Sequence, residues 1–170
     1  MSTPPQLIGL KWALKRTFLA YIAHAPGGKA TLSGGAAATS LQEILFESDS
    51  RDLSKGDAGI TFLAFRGVAA FTAYYGMLAV RIADPWVTME GDHGSLTVLD
   101  PAQPPEGDAR LELATFDLAG HTISDGLELW TAAGVKLTPE GCSLFNDAYQ
   151  VGESLEPFTI ALPARATSPG

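Results

Sequence analysis

One cysteine, Cys142, is present in 170 residues, which excludes an internal disulfide and leaves no thiol pair for a zinc site. Basic residues are scarce as well: 11 Lys and Arg stand against 19 Asp and Glu, a net charge of −8. No basic cluster interrupts that balance, so a nucleic-acid partner is not expected. Long apolar runs are missing too. No stretch approaches the roughly 20 apolar residues of a membrane span, and the opening "MSTPPQLIGL" lacks the basic and apolar regions of a secretory signal. A cytoplasmic location is the expectation that follows. Short catalytic signatures are also absent: there is no GxSxG, no HExxH, no phosphate-binding glycine loop and no Cys/His pair at metal spacing.

What remains is an ordinary globular composition, 46% hydrophobic and 18% charged, with 18 Gly and 11 Pro spread along the chain. The length fits one domain that buries about 70% of the surface its unfolded form exposes. Residues 7–163 are its expected core and 164–170 a frayed tail. From Leu7 to Ala25 the spacing of Leu10, Leu14, Phe18, Tyr21 and Ile22 predicts a helix, stopped by "APGG". Strands are expected in "GITFLAFRGVAAFTAYYG", "MLAVRIADPWVTMEG", "GSLTVLD", "ARLELATFDLAG", "GLELWTAAGVKLT" and "EPFTIALPA". "EGDHGS" reads as a hairpin connection, residues 101–108 as a loop, and Thr138-Pro139-Glu140 as a helix start carrying Leu144, Phe145, Ala148 and Tyr149. The fold class is therefore mainly β (α+β): antiparallel sandwich or barrel-like sheets with an N-terminal helix and a short helix near the C-terminus.

Candidate chemistry is thin. His24 sits where a helix C-terminus favours positive charge, His121 follows Gly120 in an expected turn, and His93 lies in the "GDHGS" turn. The carboxylates are scattered as solvated faces. The four tyrosines are better candidates, because a buried phenol needs a polar partner. Tyr74 and Tyr75 are adjacent at the end of a strand-like run, so alternation predicts that they point to opposite faces.

Three segments in order resemble the HtaA (haem-transport-associated) domain family: "LKWALKRTFLAYI", "VAAFTAYYGMLAVRIADPWVTMEGDHGSLTV" and "VKLTPEGCSLFNDAYQVGESLEPFTIALP". The resemblance runs from about Leu7 to Pro163. It implies a pocket in which a helix tyrosine ligates ferric haem iron while a histidine hydrogen-bonds the phenolate. Tyr21 falls at the ligand position, His93 is the expected partner, and Tyr149 matches another family tyrosine. A phenolate suits Fe(III) as a hard anion. One departure stands out: where family members commonly carry Gly-His-His-Gly, this sequence has "FTAYYG", so Tyr74 and Tyr75 replace two histidines.

Two functional readings follow. In the first, a non-catalytic protein binds haem, with Tyr21 on the iron and His93 behind it. Phe18, Phe71, Tyr74, Tyr75 and Tyr149 then wall the pocket, and Arg66 or Arg81 pairs the propionates. In the second, a cytoplasmic biosynthetic enzyme of cyclase type uses the slot, without cofactor, for a polyketide-like chain. Tyr21, Tyr74 and Tyr75 would there polarise a carbonyl. The order of segments favours the first reading, and the altered motif favours the second. A hydrophobic small molecule is the expected partner in both, with no oligomeric state implied.

Overall fold

The computed structural model describes residues 8–39, 42–49, 60–101, 109–145 and 148–163. The segment expected to open as one helix divides in two. Leu10 and Trp12 are both fully buried and alternate along a strand, β1 (Gly9–Trp12). Leu14, also fully buried, takes a left-handed turn at φ 59°. Its carbonyl is held by the Glu156 amide at 2.8 Å, and only then does α1 (Arg16–His24) begin. The Glu156 carboxylate accepts from the Arg16 amide at 3.2 Å, placing negative charge at the positive end of the helix. Within α1 the apolar spacing holds: Phe18 and Ile22 are buried one turn apart.

β1 pairs on one edge with β12 (Phe158–Pro163) and on the other with β4 (Ile44–Ser48). That double pairing closes the larger sheet on itself. Its order is β1, β12, β11 (Leu127–Leu137), β10 (Arg110–Ser124), β9 (His93–Leu99), β8 (Trp86–Glu90), β5 (Ile60–Arg66) and β4, with β3 (Ala36–Ala38) beside β4. The fold is mainly β, antiparallel and barrel-like. Closure removes sheet edges that would otherwise expose unpaired backbone. Trp12, Phe46, Phe65 and Phe158 are buried, and Phe158 meets Trp12 and Phe116 edge-on, with ring centroids 5.8 Å and 4.9 Å apart.

A second, three-stranded sheet holds β2 (Lys29–Ser33), β6 (Val68–Ala73) and β7 (Leu78–Ala83). The run from Gly59 to Gly76, expected as one strand, breaks at Gly67 and changes sheet. At φ 137°, with Ala36 N 2.6 Å from where a Cβ would sit, only glycine fits there. The chain leaves the barrel at Gly67 and returns after Asp84. The Asp84 amide donates to the Gly67 carbonyl at 2.8 Å, and the Asp84 carboxylate accepts from the Gly67 amide at 3.0 Å. The small sheet is thus a flap pinned at its base, and α1 packs on it through Phe18 and Phe71, edge-on at 5.3 Å.

The hairpin between β8 and β9 forms as expected, with Glu90 opposite His93. The second helix, α2 (Pro139–Leu144), starts where Thr138 Oγ1 accepts from the Gly141 amide at 2.9 Å. It is short, so Ala148 and Tyr149 lie beyond its end. Residues 102–108 and 164–170, expected as loop and tail, lie outside the described residues. Among the described residues no helix is long and apolar enough to cross a membrane.

Candidate functional site

The last turn of α1, the loop Ala25–Gly28 and the tip of the β6–β7 hairpin meet around an open hollow of about 290 Å³, lined by Ala20, Tyr21, His24, Ala25, Pro26 and Tyr74. Two backbone features build it. The Gly28 amide donates to the Ala25 carbonyl at 2.9 Å, folding the loop back under the helix. The Tyr74 amide donates to the Pro26 carbonyl at 2.7 Å, tying the hairpin tip to that loop.

The tip itself is strained. Tyr74 and Tyr75 do not continue the strand, which ends at Ala73. Both take left-handed backbone, at φ 52° and 57°, so the expected alternation of their side chains does not apply. Aromatic residues rarely occupy that region, and backbone held there costs about 1–3 kcal/mol. Strain of this kind persists where the surroundings demand it. Tyr75 lies against Gly27, whose missing Cβ leaves room for the ring. Tyr75→Asn, which suits left-handed backbone, should therefore raise the unfolding free energy by about 1 kcal/mol, read from urea unfolding. An unchanged or lower midpoint would show that the ring repays the strain.

At the mouth of the hollow the Tyr21 hydroxyl donates to the Tyr74 hydroxyl at 2.8 Å, with the rings tilted at 51°. Tyr21 is 47% exposed, Tyr74 38%, Tyr75 87% and Met77 88%, so large apolar groups gather at one exposed corner. Such clusters mark contact surfaces rather than core. The hydrogen bond to Tyr74 holds the Tyr21 phenol above its ordinary pKa, helped by local burial and by the neighbouring Tyr74 and Tyr149. Burial, then the Glu153 charge, raises Tyr149 likewise. Without a ligand both phenols keep their protons at neutral pH.

Other candidate residues fall elsewhere. His93 starts β9, largely exposed, with Nδ1 2.8 Å from the Asp117 carboxylate, so the structure does not bring it to Tyr21. The partner of Tyr21 is Tyr74 instead. Phe18 and Phe71 are buried against each other, and Phe18 also meets Phe145 at 5.2 Å; they support the helix from beneath and do not line the hollow. Tyr149 packs edge-on against Phe145 at 5.6 Å, with the Lys15 ammonium 5.5 Å from its ring centre. Arg66 pairs with Glu47 across β4 and β5. Arg81 is exposed on β7, and neither arginine lines the hollow. His121 is not in a turn: it lies on β10 opposite Trp130, stacked on that indole at 4.9 Å and 2.6 Å from the Glu128 carboxylate.

His24, expected at the helix C-terminus, follows Tyr21 by one turn, which puts both on the same helix face beside the hollow. That spacing was the available signal. Ala25 and Pro26, expected as a helix stop, also line the hollow.

A model of the HtaA family (Htaa) matches residues 8–161. The chain belongs to the HtaA family. Solved HtaA domains share its fold. The C-terminal domain of HtaA from Corynebacterium glutamicum superposes with a TM-score of 0.71 at 23% identity, covering 91% of this chain and 94% of that one. The N-terminal domain of the same protein gives 0.71 at 18% identity, over 91% and 96%. Heme binding protein HtaB from Corynebacterium glutamicum gives 0.64 at 20% identity, over 91% of each chain. No curated protein matches the chain.

Proposed function

We propose that this HtaA-family chain binds haem at the hollow, with Tyr21 Oη as the iron ligand and Tyr74 Oη as its hydrogen-bond partner. The observation that carries the reading is the Tyr21–Tyr74 pair, its two hydroxyls joined at 2.8 Å and both rings partly exposed at the mouth of the hollow. Its support from kinship is that a structural neighbour is named as a heme binding protein.

The residues present fit the group. When bound, ferric haem would supply a Lewis-acidic iron that prefers a hard anionic oxygen, on a broad apolar plane. Tyr21 Oη meets the first demand once its proton leaves. A hydroxyl both donates and accepts, so Tyr74 can turn its proton towards the Tyr21 oxygen without moving a heavy atom. A bond to a charged oxygen contributes about 1.5–3 kcal/mol, which stabilises the phenolate. By the sequence resemblance, Tyr74 stands in the segment where related domains commonly carry Gly-His-His-Gly, so a phenol stands where an imidazole is common. Ala20, Ala25 and Pro26 offer a small-residue wall against which a flat ring system lies close.

The cyclase reading gains no support from the comparisons, whose solved neighbours are HtaA domains and a heme binding protein.

A titration with hemin tests the proposal, and its pH dependence is diagnostic. The Tyr21 pKa is raised above its ordinary value, so the free phenol is protonated throughout pH 6–9 and each binding event must release its proton. Protons then compete with iron, and affinity should rise about tenfold per pH unit across that range, beyond the drift of free hemin. An affinity that stays flat would exclude the phenol oxygen as ligand.

A further inference from the structure

We propose that the same corner is also a chelating site for a bare ferric-type trivalent cation, held by Tyr21 Oη and Tyr74 Oη with His24 as third donor. The inference shares the hollow with the haem proposal but does not depend on haem.

Spacing is the first argument. The two phenol oxygens stand 2.8 Å apart. A six-coordinate ion with metal–oxygen bonds of about 2.0 Å sets neighbouring ligand oxygens about 2.8 Å apart, the diagonal of a right angle. The pair already has the separation that adjacent coordination positions require, and a cation entering from the open side displaces the proton of each phenol.

Donor chemistry is the second. Hard anionic oxygens with an imidazole suit Fe(III), whereas thiolates would be needed to favour soft ions. Among the described residues no group of three or more His, Cys, Asp or Glu converges, so carboxylate-rich calcium sites and Cys/His zinc sites have no counterpart. The phenol corner is a hard-oxygen cluster of a different kind. Binding releases two phenolic protons to solvent, and the two phenolates offset two of the three charges on the ion. Water or a small chelating anion completes the coordination from the open side.

Preorganisation is the third. Tyr74 is fixed by a left-handed backbone and by its amide bond to the Pro26 carbonyl. Tyr21 and His24 share one face of α1, and both line the hollow. Tyr74 therefore loses little backbone freedom on binding, and Tyr21 is already held to it by their hydrogen bond.

Ferric nitrilotriacetate, titrated into the protein without hemin, tests this. The expected result is uptake of one equivalent with a visible phenolate-to-iron absorption band. Tyr21→Phe and Tyr74→Phe should each weaken uptake at least about 100-fold and reduce the band, and His24→Ala about tenfold. Both tyrosines are substantially exposed, so the phenylalanine variants stay folded, which melting curves check. The same variants titrated with hemin separate the two proposals. There Tyr74→Phe removes only a hydrogen bond and costs about tenfold. Hemin binding without any ferric band overturns the chelation inference and leaves the haem reading standing. A ferric band with no hemin binding does the reverse. A band that keeps its intensity and affinity in Tyr74→Phe also overturns the inference, since one phenol would then suffice.

Discussion

Tyr21→Phe should lower hemin affinity at least about 100-fold, a loss of about 2.7 kcal/mol, while leaving the fold intact. The substitution deletes one oxygen and keeps the ring. Apolar contacts between a flat guest and Ala20, Ala25 and Pro26 survive, so binding weakens without vanishing. What disappears is the anionic ligand, and with it the phenolate-to-iron band in the visible spectrum and the rise of affinity with pH. Stability should move by no more than about 0.5 kcal/mol, because the ring is 47% exposed and its one hydrogen bond is to another exposed phenol. Hemin absorption and thermal melting on the same samples provide both readings. Wild-type affinity in the variant would remove Tyr21 from the iron, and a large drop in melting temperature would mean that it is a structural residue.

The second large effect concerns a residue that touches no ligand. A Cβ on Gly28 would sit 1.8 Å from the Ile22 carbonyl oxygen and 3.0 Å from that of Ala25, both backbone atoms that cannot swing aside. Gly28→Ala must therefore open the turn that ends α1. Overpacking of this kind costs about 1–3 kcal/mol, and for a chain of this length that lowers the melting temperature by about 2–4 °C per kcal/mol. Function should suffer as well. The displaced loop carries Pro26, whose carbonyl anchors Tyr74, and Gly27, on which Tyr75 rests. Hemin affinity should fall about tenfold even at temperatures where the variant is fully folded. Gly120→Ala is the matched control, since its added methyl meets nothing closer than 3.8 Å and both stability and affinity should hold. Equal behaviour of the two variants would show that the loop has room to adapt.

Much of the fold was legible in local pattern. Alternation marked the strands, the Thr138-Pro139 pair marked the start of α2, and "EGDHGS" marked a hairpin. Each is a short-range signal with a local physical cause. The errors arose where one pattern served two structures. Leu10 and Leu14 are four apart, as on a helix, but both are buried because β1 is held from two sides and Leu14 turns left-handed after it. Phe18 to Ile22 has the same spacing and is helical, since nothing there pairs with the backbone.

For the candidate site the division is similar. Sequence and family resemblance named Tyr21 and placed two tyrosines in the motif where histidines are common. They also named His93, because its segment matched, but register puts that side chain beside Asp117 on the barrel.

By itself the sequence determined the β-rich class, the position of the second helix and the unusual "FTAYYG" motif, since composition, capping and turn chemistry act over a few residues. Only the tertiary structure decided that the chain changes sheet at Gly67, that the barrel closes through β1, and that Tyr74 lies 2.8 Å from Tyr21. Those 53 positions of separation are bridged by the packing of α1 on the flap and by the carbonyl of Pro26, and contacts of that range leave no periodicity in the chain to be read.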